Sequence, residues 1–121
     1  METTLEPKEI EEQLAWCTGT TRYHRVMGPY LSTDGVEMMA DLCQANWLVT
    51  DIAAFMASPD VAGEPFIVWT LTVNEDESAR LEATDGDGKP LFARDYSYTD
   101  FPLPKMKLYV ADHILLLPSE Y

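Results

Sequence analysis

The sequence predicts an α+β fold, with two helices at about 6–16 and 34–57 packed on an antiparallel meander of about four strands. Two observations predict it. Apolar residues recur at helical spacing in the first half of the chain, and the period changes to two after Pro65. Helices followed by a run of strands are typical of α+β domains. With 121 residues, the chain is expected to form one domain over 1–121.

The helices are predicted from capping residues and from the spacing of apolar residues. In the first helix, Ile10 and Leu14 lie four residues apart among glutamates. The second helix begins at Thr33 or Asp34, because either side chain can cap a helix N-terminus. Its apolar face shifts after Asn46, which indicates either a break there or a helix buried on two sides.

The strands are predicted from β-branched and aromatic residues bounded by turn residues. They are expected at 66–73, 78–84, 90–99 and 105–110. The Asp-Gly pairs of TDGDGKP indicate a hairpin between the second and third strands. The segment 113–118 is expected to be a strand or a last helical turn. Residues 18–35 are expected to form a loop, a short extended piece and turns.

Charge is the strongest compositional signal. The chain has 21 acidic and 8 basic residues, which give a formal net charge of −13. So acidic a protein lacks the basic footprint needed to bind nucleic acid or an anionic membrane directly, but it can bind a basic protein. No stretch approaches the ~18 apolar residues of a membrane span. No signal peptide is visible, so a cytoplasmic location is expected.

Motifs that bind metals or perform catalysis are not found in the sequence. His24 and His113 have no partner at metal-ligand spacing, and Cys17 and Cys43 form no CxxC pair. The sequence neither requires nor excludes a disulfide between the two cysteines. A loop starting at Asp85 lacks the glycine and glutamate that an EF-hand requires. We therefore predict no metal, no cofactor and no catalytic residue.

Acidic side chains form the first candidate functional group, an interaction surface. Carboxylates spread over helices and hairpin ends could imitate the phosphates of a duplex and occupy a basic groove. Alternatively, they form an ordinary solvated surface that keeps the protein soluble. The surface comprises Glu9, Glu12, Glu37, Asp41, Glu75, Asp76, Glu77, Asp85 and Asp87.

A polar pocket is the second candidate. Two Thr-Asp dipeptides, at 33–34 and 99–100, lie where the chain changes direction, and such residues often cap backbone N–H groups there. Alternatively, their aspartates meet Arg25 or Tyr23 in one site that binds a ligand or performs acid–base chemistry. The possible pocket comprises Thr18, Thr20, Tyr23, Arg25, Asp34, Asp100, Glu120 and Tyr121.

The C-terminal run LLLPSEY is predicted to be an integral element of the fold. Leu115, Leu116 and Leu117 are expected to enter the core, and Pro118 to turn the chain outward. Tyr121 is then expected to pack back on the domain. Alternatively, the last three residues form a wall of the polar pocket.

Several short blocks, taken in order, resemble the pattern of a known family. CTGTTRYHR, TDG, WLVTDIA, FIVW, DGDG, YTDFPL, LY and LLLPSEY are similar to a small uncharacterised prokaryotic family that is often associated with phage and mobile elements. The resemblance covers about residues 16–121, and TGT, TDG, YTDFPL and LLLPSEY are its most specific blocks. Because the family is a domain of unknown function, the resemblance implies no catalytic residues. Its phage association favours an inhibitor of a host defence complex.

The function expected from these observations is that of a non-catalytic acidic interaction protein. Its most concrete form is a phage or mobile-element inhibitor, of the anti-CRISPR or DNA-mimic type, that binds the basic surface of a nucleic-acid-binding host protein. The competing hypothesis is a small enzyme or ligand-binding module whose pocket lies around Thr18–Arg25, Asp34, Asp100 and Glu120. A third is a subunit whose exposed aromatic residues form a homomeric interface. The sequence assigns neither the partner nor the oligomeric state.

Overall fold

The structure, a computed structural model, describes residues 7–15, 22–61 and 63–121. Its helices in these ranges are α1 (Pro7–Ala15), α2 (Asp34–Cys43) and α3 (Asn46–Phe55), and a 3-10 turn covers Pro118–Glu120. Its strands are β1 (Tyr23–Met27), β2 (Tyr30–Thr33), β3 (Phe66–Val73), β4 (Ala79–Asp85), β5 (Pro90–Tyr96), β6 (Lys105–Ala111) and β7 (Ile114–Leu116). None of these helices is long and apolar enough to cross a membrane.

The prediction of α+β content is confirmed, but the prediction of two helices packed on a four-stranded meander is wrong. Within the described ranges, three helices accompany a seven-stranded sheet in the order β1-β2-β7-β6-β3-β4-β5. The sheet is mixed, since β2 and β7 run parallel and the other neighbours run antiparallel. Strand β6 returns to pair with β3 instead of β5, so β3 to β6 form a Greek key.

The return from β5 to β6 is made by the connection at 97–104. Phe101 and Leu103 of this segment are buried in the core. The N–H of Thr99 donates to the Glu77 carbonyl in the β3–β4 turn at 2.8 Å, and the N–H of Val73 donates to the Pro104 carbonyl at 2.8 Å. The connection therefore packs against the end of the sheet that holds the β3–β4 turn. A tight hairpin between β5 and β6 would not reach this turn.

The predicted helix at 34–57 is in fact two helices. Helix α2 ends at Gln44, whose φ of 52° is left-handed and whose N–H donates to the carbonyls of Ala40 and Asp41. The change of apolar face after Asn46 is therefore a break in the helix. The break is needed because one straight helix cannot present both apolar faces to the same core.

Strands β1 and β2 form a hairpin in the segment that was expected to contain a loop, a short extended piece and turns. Gly28 and Pro29 make its two-residue turn, and the φ of 55° at Gly28 suits the first position of a type II′ turn. Strand β2 then pairs in parallel with β7, so that Leu31 lies opposite Ile114. Because that partner lies near the far end of the chain, the local sequence around β2 does not indicate the pairing.

The core lies between the helices and one face of the sheet. In β3, Ile67, Trp69 and Leu71 alternate with partly exposed residues, so every second side chain enters the core. The helices contribute buried side chains to the same core, including Ile10, Val36, Met39, Leu48 and Ile52. On the other face of the central strands, the alternate side chains of β3 and β6 are partly or fully exposed.

Helix α3 contacts both edges of the sheet. It packs against edge strand β1. Its Phe55 ring also lies 5.1 Å from the ring of Phe92 in β5, the opposite edge strand. Since β1 and β5 are at the two ends of the strand order, the sheet curves around α3.

Candidate functional site

The C-terminal turn binds the N-terminus of α2 through one carboxylate. Thr33 caps the helix, because its hydroxyl accepts from the N–H of Val36 at 3.2 Å. The same hydroxyl donates to Oε1 of Glu120 at 2.6 Å, and the N–H of Gly35 donates to Oε2 at 3.3 Å. Oε1 also accepts from the N–H of Leu117 at 2.9 Å. A negative charge thus lies at the positive end of the helix.

This arrangement explains why residue 35 is a glycine. A Cβ atom at this position would lie 2.7 Å from the carboxyl carbon of Glu120, closer than real Cβ contacts come. Glycine therefore leaves the space that the carboxylate of Glu120 occupies. The TDG and LLLPSEY blocks are two halves of one structural unit.

Asp34 connects the same helix end to β1. Its Oδ1 lies 2.8 Å from Nε2 of His24, and its Oδ2 accepts from the backbone N–H of Arg22 at 3.3 Å. Both side chains of the Asp34–His24 pair are about one-third exposed, at 39% and 32%. The pair therefore orients β1 against α2 at a position that water reaches.

A groove next to this unit brings several predicted pocket residues together. Tyr23, Glu120 and Tyr121 line it. The groove has a volume of about 320 Å³, and its other walls come from Thr33, Ala111, Asp112, Ile114 and Leu116. The ring of Tyr121 packs back on Phe66, with centroids 5.0 Å apart. This contact places the last residue on the sheet face opposite the helices.

The remaining predicted pocket residues are not brought together in this groove. Arg25 lies exposed on β1 and does not line it. Asp100 lines a separate cleft with Trp47, Tyr96, Tyr98 and Thr99. The two Thr-Asp dipeptides therefore do not share a site. Thr18 and Thr20 lie outside the described residues.

The nine predicted interaction carboxylates lie in four places. Glu9 and Glu12 are exposed on α1, and α2 carries Glu37 and Asp41. Glu75–Glu77 lie in the turn before β4, and Asp85 and Asp87 lie at its other end. At about 3.4 Å per residue, the seven residues of β4 separate these two turns by roughly 20 Å. The hairpin acids therefore form two groups rather than one.

Two of the turn carboxylates shape their own turns. Oδ1 of Asp76 accepts from the hydroxyl of Ser78 at 2.6 Å and from its N–H at 3.0 Å, and these bonds lower the pKa of Asp76. Oδ1 of Asp85 accepts from the N–H groups of Asp87 and Lys89 at 2.8 and 2.9 Å. Within the described part of the chain, no group of three or more His, Cys, Asp or Glu side chains is placed to hold a metal ion.

Charge is distributed unevenly between the two layers of the fold, although Lys8 lies on α1 and Arg94 packs on Phe55 of α3. Helices α2 and α3 carry four acids and no Lys or Arg; the acids are Asp34, Glu37, Asp41 and Asp51. The sheet face opposite the helices carries Arg80, Lys105 and Lys107. There Arg80 forms salt bridges to Asp95 at 2.9 Å and to Glu82 at 3.8 Å. We call the exposed surface of α1, α2 and α3 the helical face, and it is the acidic side of the molecule.

Two features of these surfaces were not predicted from the sequence. The first is the uneven distribution of charge, although the absence of any base between Thr33 and Ala57 was visible. The second is the aromatic lining of the Asp100 cleft. The sequence feature that indicated this lining is YSY at 96–98, directly before the second Thr-Asp dipeptide.

The chain is similar to a known protein family. The model of a protein family described as "Family of unknown function (DUF6876)" matches residues 8–121. Neither a curated protein nor a solved structure gave a significant match to the chain. The expectation of an uncharacterised domain is confirmed, and the association with phage and mobile elements stays a prediction.

Proposed function

We propose that this chain, which belongs to the family of unknown function DUF6876, is a non-catalytic interaction protein that binds a basic protein surface with its helical face. The uneven distribution of charge is the observation that supports this proposal. Two adjacent helices without a single base create a negative field on one side of the molecule. Such a field steers a basic partner to that side and speeds association.

The acids of the helical face are available to a partner. Glu12 and Asp41 are exposed, and Glu37 is partly exposed. The salt bridges of Arg80 use Glu82 and Asp95 on the other layer, so they do not neutralise this face. We place the interaction in the cytoplasm, which suits the free, buried thiol of Cys43.

The more specific form of the proposal is an inhibitor of a nucleic-acid-binding protein, of phage or mobile-element origin. A duplex mimic would present carboxylates along one continuous track. The hairpin acids lie in two turns at opposite ends of β4, roughly 20 Å apart, so they do not form one track. We therefore favour competition at a basic surface through the helices over imitation of a whole duplex.

The groove at the C-terminus supports the competing hypothesis of a ligand-binding module less well. Asp112 also lines this groove, but two other acids at or beside it are already bonded within the chain. Glu120 accepts three hydrogen bonds, and Asp34 contacts His24 and the backbone of Arg22. A carboxylate used in this way would have to break structural bonds before it could bind a ligand or move a proton.

The experiment that tests the proposal is affinity capture from a prokaryotic lysate, with elution by salt and identification by mass spectrometry. We expect a basic nucleic-acid-binding protein that is released between about 50 and about 500 mM salt, because screening weakens contacts between exposed charges. Recovered partners are then purified and titrated individually against the protein.

Two charge-neutralised variants locate the binding face. The helical variant carries Glu9→Gln, Glu12→Gln, Glu37→Gln and Asp41→Asn, and the hairpin variant carries Glu75→Gln, Glu77→Gln and Asp87→Asn. Both leave Asp76 and Asp85 in place, since these shape their turns. We expect tenfold or greater loss of affinity in the helical variant and little change in the hairpin variant. Binding that is insensitive to salt and to both variants would rule out the proposal.

A further inference from the structure

A surface cleft beside the start of α3 is lined mainly by aromatic rings. Trp47 comes from α3, Tyr96 ends β5, and Tyr98 lies in the connection that follows. Thr99 and Asp100 complete the lining, and the cleft has a volume of about 250 Å³. The cleft is separate from the C-terminal groove and borders the helical face.

Two of the rings are held in place by contacts within the chain. Trp47 and Tyr96 meet edge to face, with ring centroids 5.4 Å apart. The hydroxyl of Tyr96 donates to Oδ2 of Asp51 at 2.8 Å. Burial, followed by this carboxylate, raises the pKa of Tyr96 above its ordinary value, so the hydroxyl stays a neutral donor. The floor of the cleft is therefore formed before a ligand arrives.

The outer wall is also fixed, by the backbone of the connection. The N–H of Thr99 donates to the Glu77 carbonyl at 2.8 Å, and the N–H of Phe101 donates to the Thr99 hydroxyl at 3.2 Å. Because Thr99 and Phe101 are buried, Tyr98 and Asp100 point outward on either side of Thr99. Tyr98 is 64% exposed. Among the described residues, the Asp100 carboxylate has no hydrogen bond or ion pair.

We infer that this cleft binds one arginine side chain of a basic partner protein. A guanidinium is planar, stacks on Trp and Tyr rings and pairs with a carboxylate, so it matches both the rings and Asp100. No Lys or Arg of the described residues lines the cleft, so its charge is complementary to a cation. The inference rests on the proposed function, since it names a contact by which a basic partner is held.

The size of the cleft fits a side chain better than a whole metabolite. Pockets for drug-sized ligands span roughly 300–1,000 Å³, and this one is smaller. Trp, Tyr and Arg are also the residues that most often dominate the energy of protein interfaces. The chain itself contains a related contact nearby, because the guanidinium carbon of Arg94 lies 5.6 Å from the centroid of the Phe55 ring.

The test is an NMR titration of the ¹⁵N-labelled full chain with Nα-acetyl-arginine methylamide. We expect saturable shifts of the Trp47 indole N–H and of the backbone amides of Tyr98 and Asp100. The matched probe is the citrulline analogue, which keeps the shape of arginine without its charge. Shifts of equal size with citrulline, or no saturable shift with arginine, would overturn the inference. Preferential binding of tetramethylammonium would also overturn it, because the occupant would then be a small free cation.

Variants at the exposed wall give a second readout. We expect Tyr98→Ala and Asp100→Asn each to weaken binding of the arginine probe about three- to tenfold. Both residues are exposed, and the amide spectrum of each variant checks that the fold is kept. Tyr23→Ala is the matched control, since Tyr23 is 54% exposed but lines the other groove. Equal losses in the control and the cleft variants would contradict a specific site.

This inference and the proposed function can fail separately. If the basic partner binds Tyr98→Ala as tightly as the unmodified chain, the cleft is not its contact and the inference fails while the proposed function stands. If the arginine probe binds the cleft but no basic protein binds in a salt-dependent way, the cleft is confirmed as an arginine site and the proposed function is contradicted.

Discussion

The carboxylate of Glu120 lies 2.6 Å from the hydroxyl of Thr33, so the penultimate residue of the chain holds the residue that caps α2. The same carboxylate accepts from the backbone of Gly35 and Leu117. One side chain therefore satisfies orphan N–H groups at a helix start and at the C-terminal turn. The segment Leu117–Glu120 is consequently a structural element of the fold.

Replacing Glu120 should destabilise the fold. We expect Glu120→Ala to lower the free energy of unfolding by about 1–3 kcal/mol, because a partly buried, charge-assisted network loses its acceptor. Glu120→Gln keeps the shape and one carbonyl oxygen, so its effect should be smaller. Urea unfolding followed by circular dichroism measures both. Glu75→Ala in the exposed β3–β4 turn is the control, and a loss for Glu120→Ala no larger than for this control would refute the structural role.

The effect of Gly35→Ala on stability should have opposite signs depending on whether residue 120 is Glu or Ala. In the unmodified chain, the added Cβ displaces the Glu120 carboxylate and breaks its bonds, so we expect a net loss of stability. In the Glu120→Ala background the space is open, and alanine should stabilise α2 by up to about 1 kcal/mol through its helix propensity. A double-mutant cycle in urea measures the coupling. Additive effects of the two changes would show that the residues act independently.

Tyr96 should make stability sensitive to alkaline pH. Burial and the hydrogen bond to Asp51 raise the pKa of Tyr96 in the folded state above its ordinary value of 10.0. This contribution to stability is complete below about pH 10 and is lost as pH rises further, because the unfolded chain ionises first. We expect the urea midpoint to fall more steeply above about pH 10 for the unmodified chain than for Tyr96→Phe.

The control for this pH dependence is Tyr98→Phe. Tyr98 is mostly exposed, so its removal should leave the alkaline slope unchanged. At neutral pH, Tyr96→Phe should also cost about 1 kcal/mol, since Asp51 loses its donor. Identical alkaline slopes for Tyr96→Phe and the unmodified chain would contradict the assignment.

Cys43 should react slowly with alkylating reagents in the folded protein. Burial raises the pKa of its thiol to about 11, so little thiolate is present near pH 8. We expect iodoacetamide to label Cys43 at least tenfold more slowly in buffer than in concentrated urea. Peptide-resolved mass spectrometry separates Cys43 from Cys17. Equal rates in the two solvents would mean that the thiol is accessible in the native state.

Several elements could be predicted from the sequence because they depend on neighbours along the chain. The alternation in FIVWTLTV predicts a strand at 66–73, and β3 covers these residues. Thr33 was expected among the caps of α2, and its hydroxyl does cap the helix. Helix α1 was predicted to within one residue at each end. Caps and periodicity act within a few residues, so the local pattern contains them.

Strand partners could not be predicted in the same way. Alternation shows which side chains of a strand face the core, but it does not identify the neighbouring strand. The parallel pairing of β2 with β7, and the return of β6 to β3, depend on what the whole chain buries. The break at Gln44 was visible as a change of face, yet only the packing of α3 decides between a break and a doubly buried helix.

By itself, the sequence determined the charge excess, the α+β content and the apolar pattern of the core. Only the tertiary structure decided that Thr33 meets Glu120 and that Asp34 and Asp100 lie in different places. It alone also decided that Trp47 and Tyr98 line one cleft. The physical reason is that distances between residues far apart in the chain follow from strand order and burial, which no local pattern encodes.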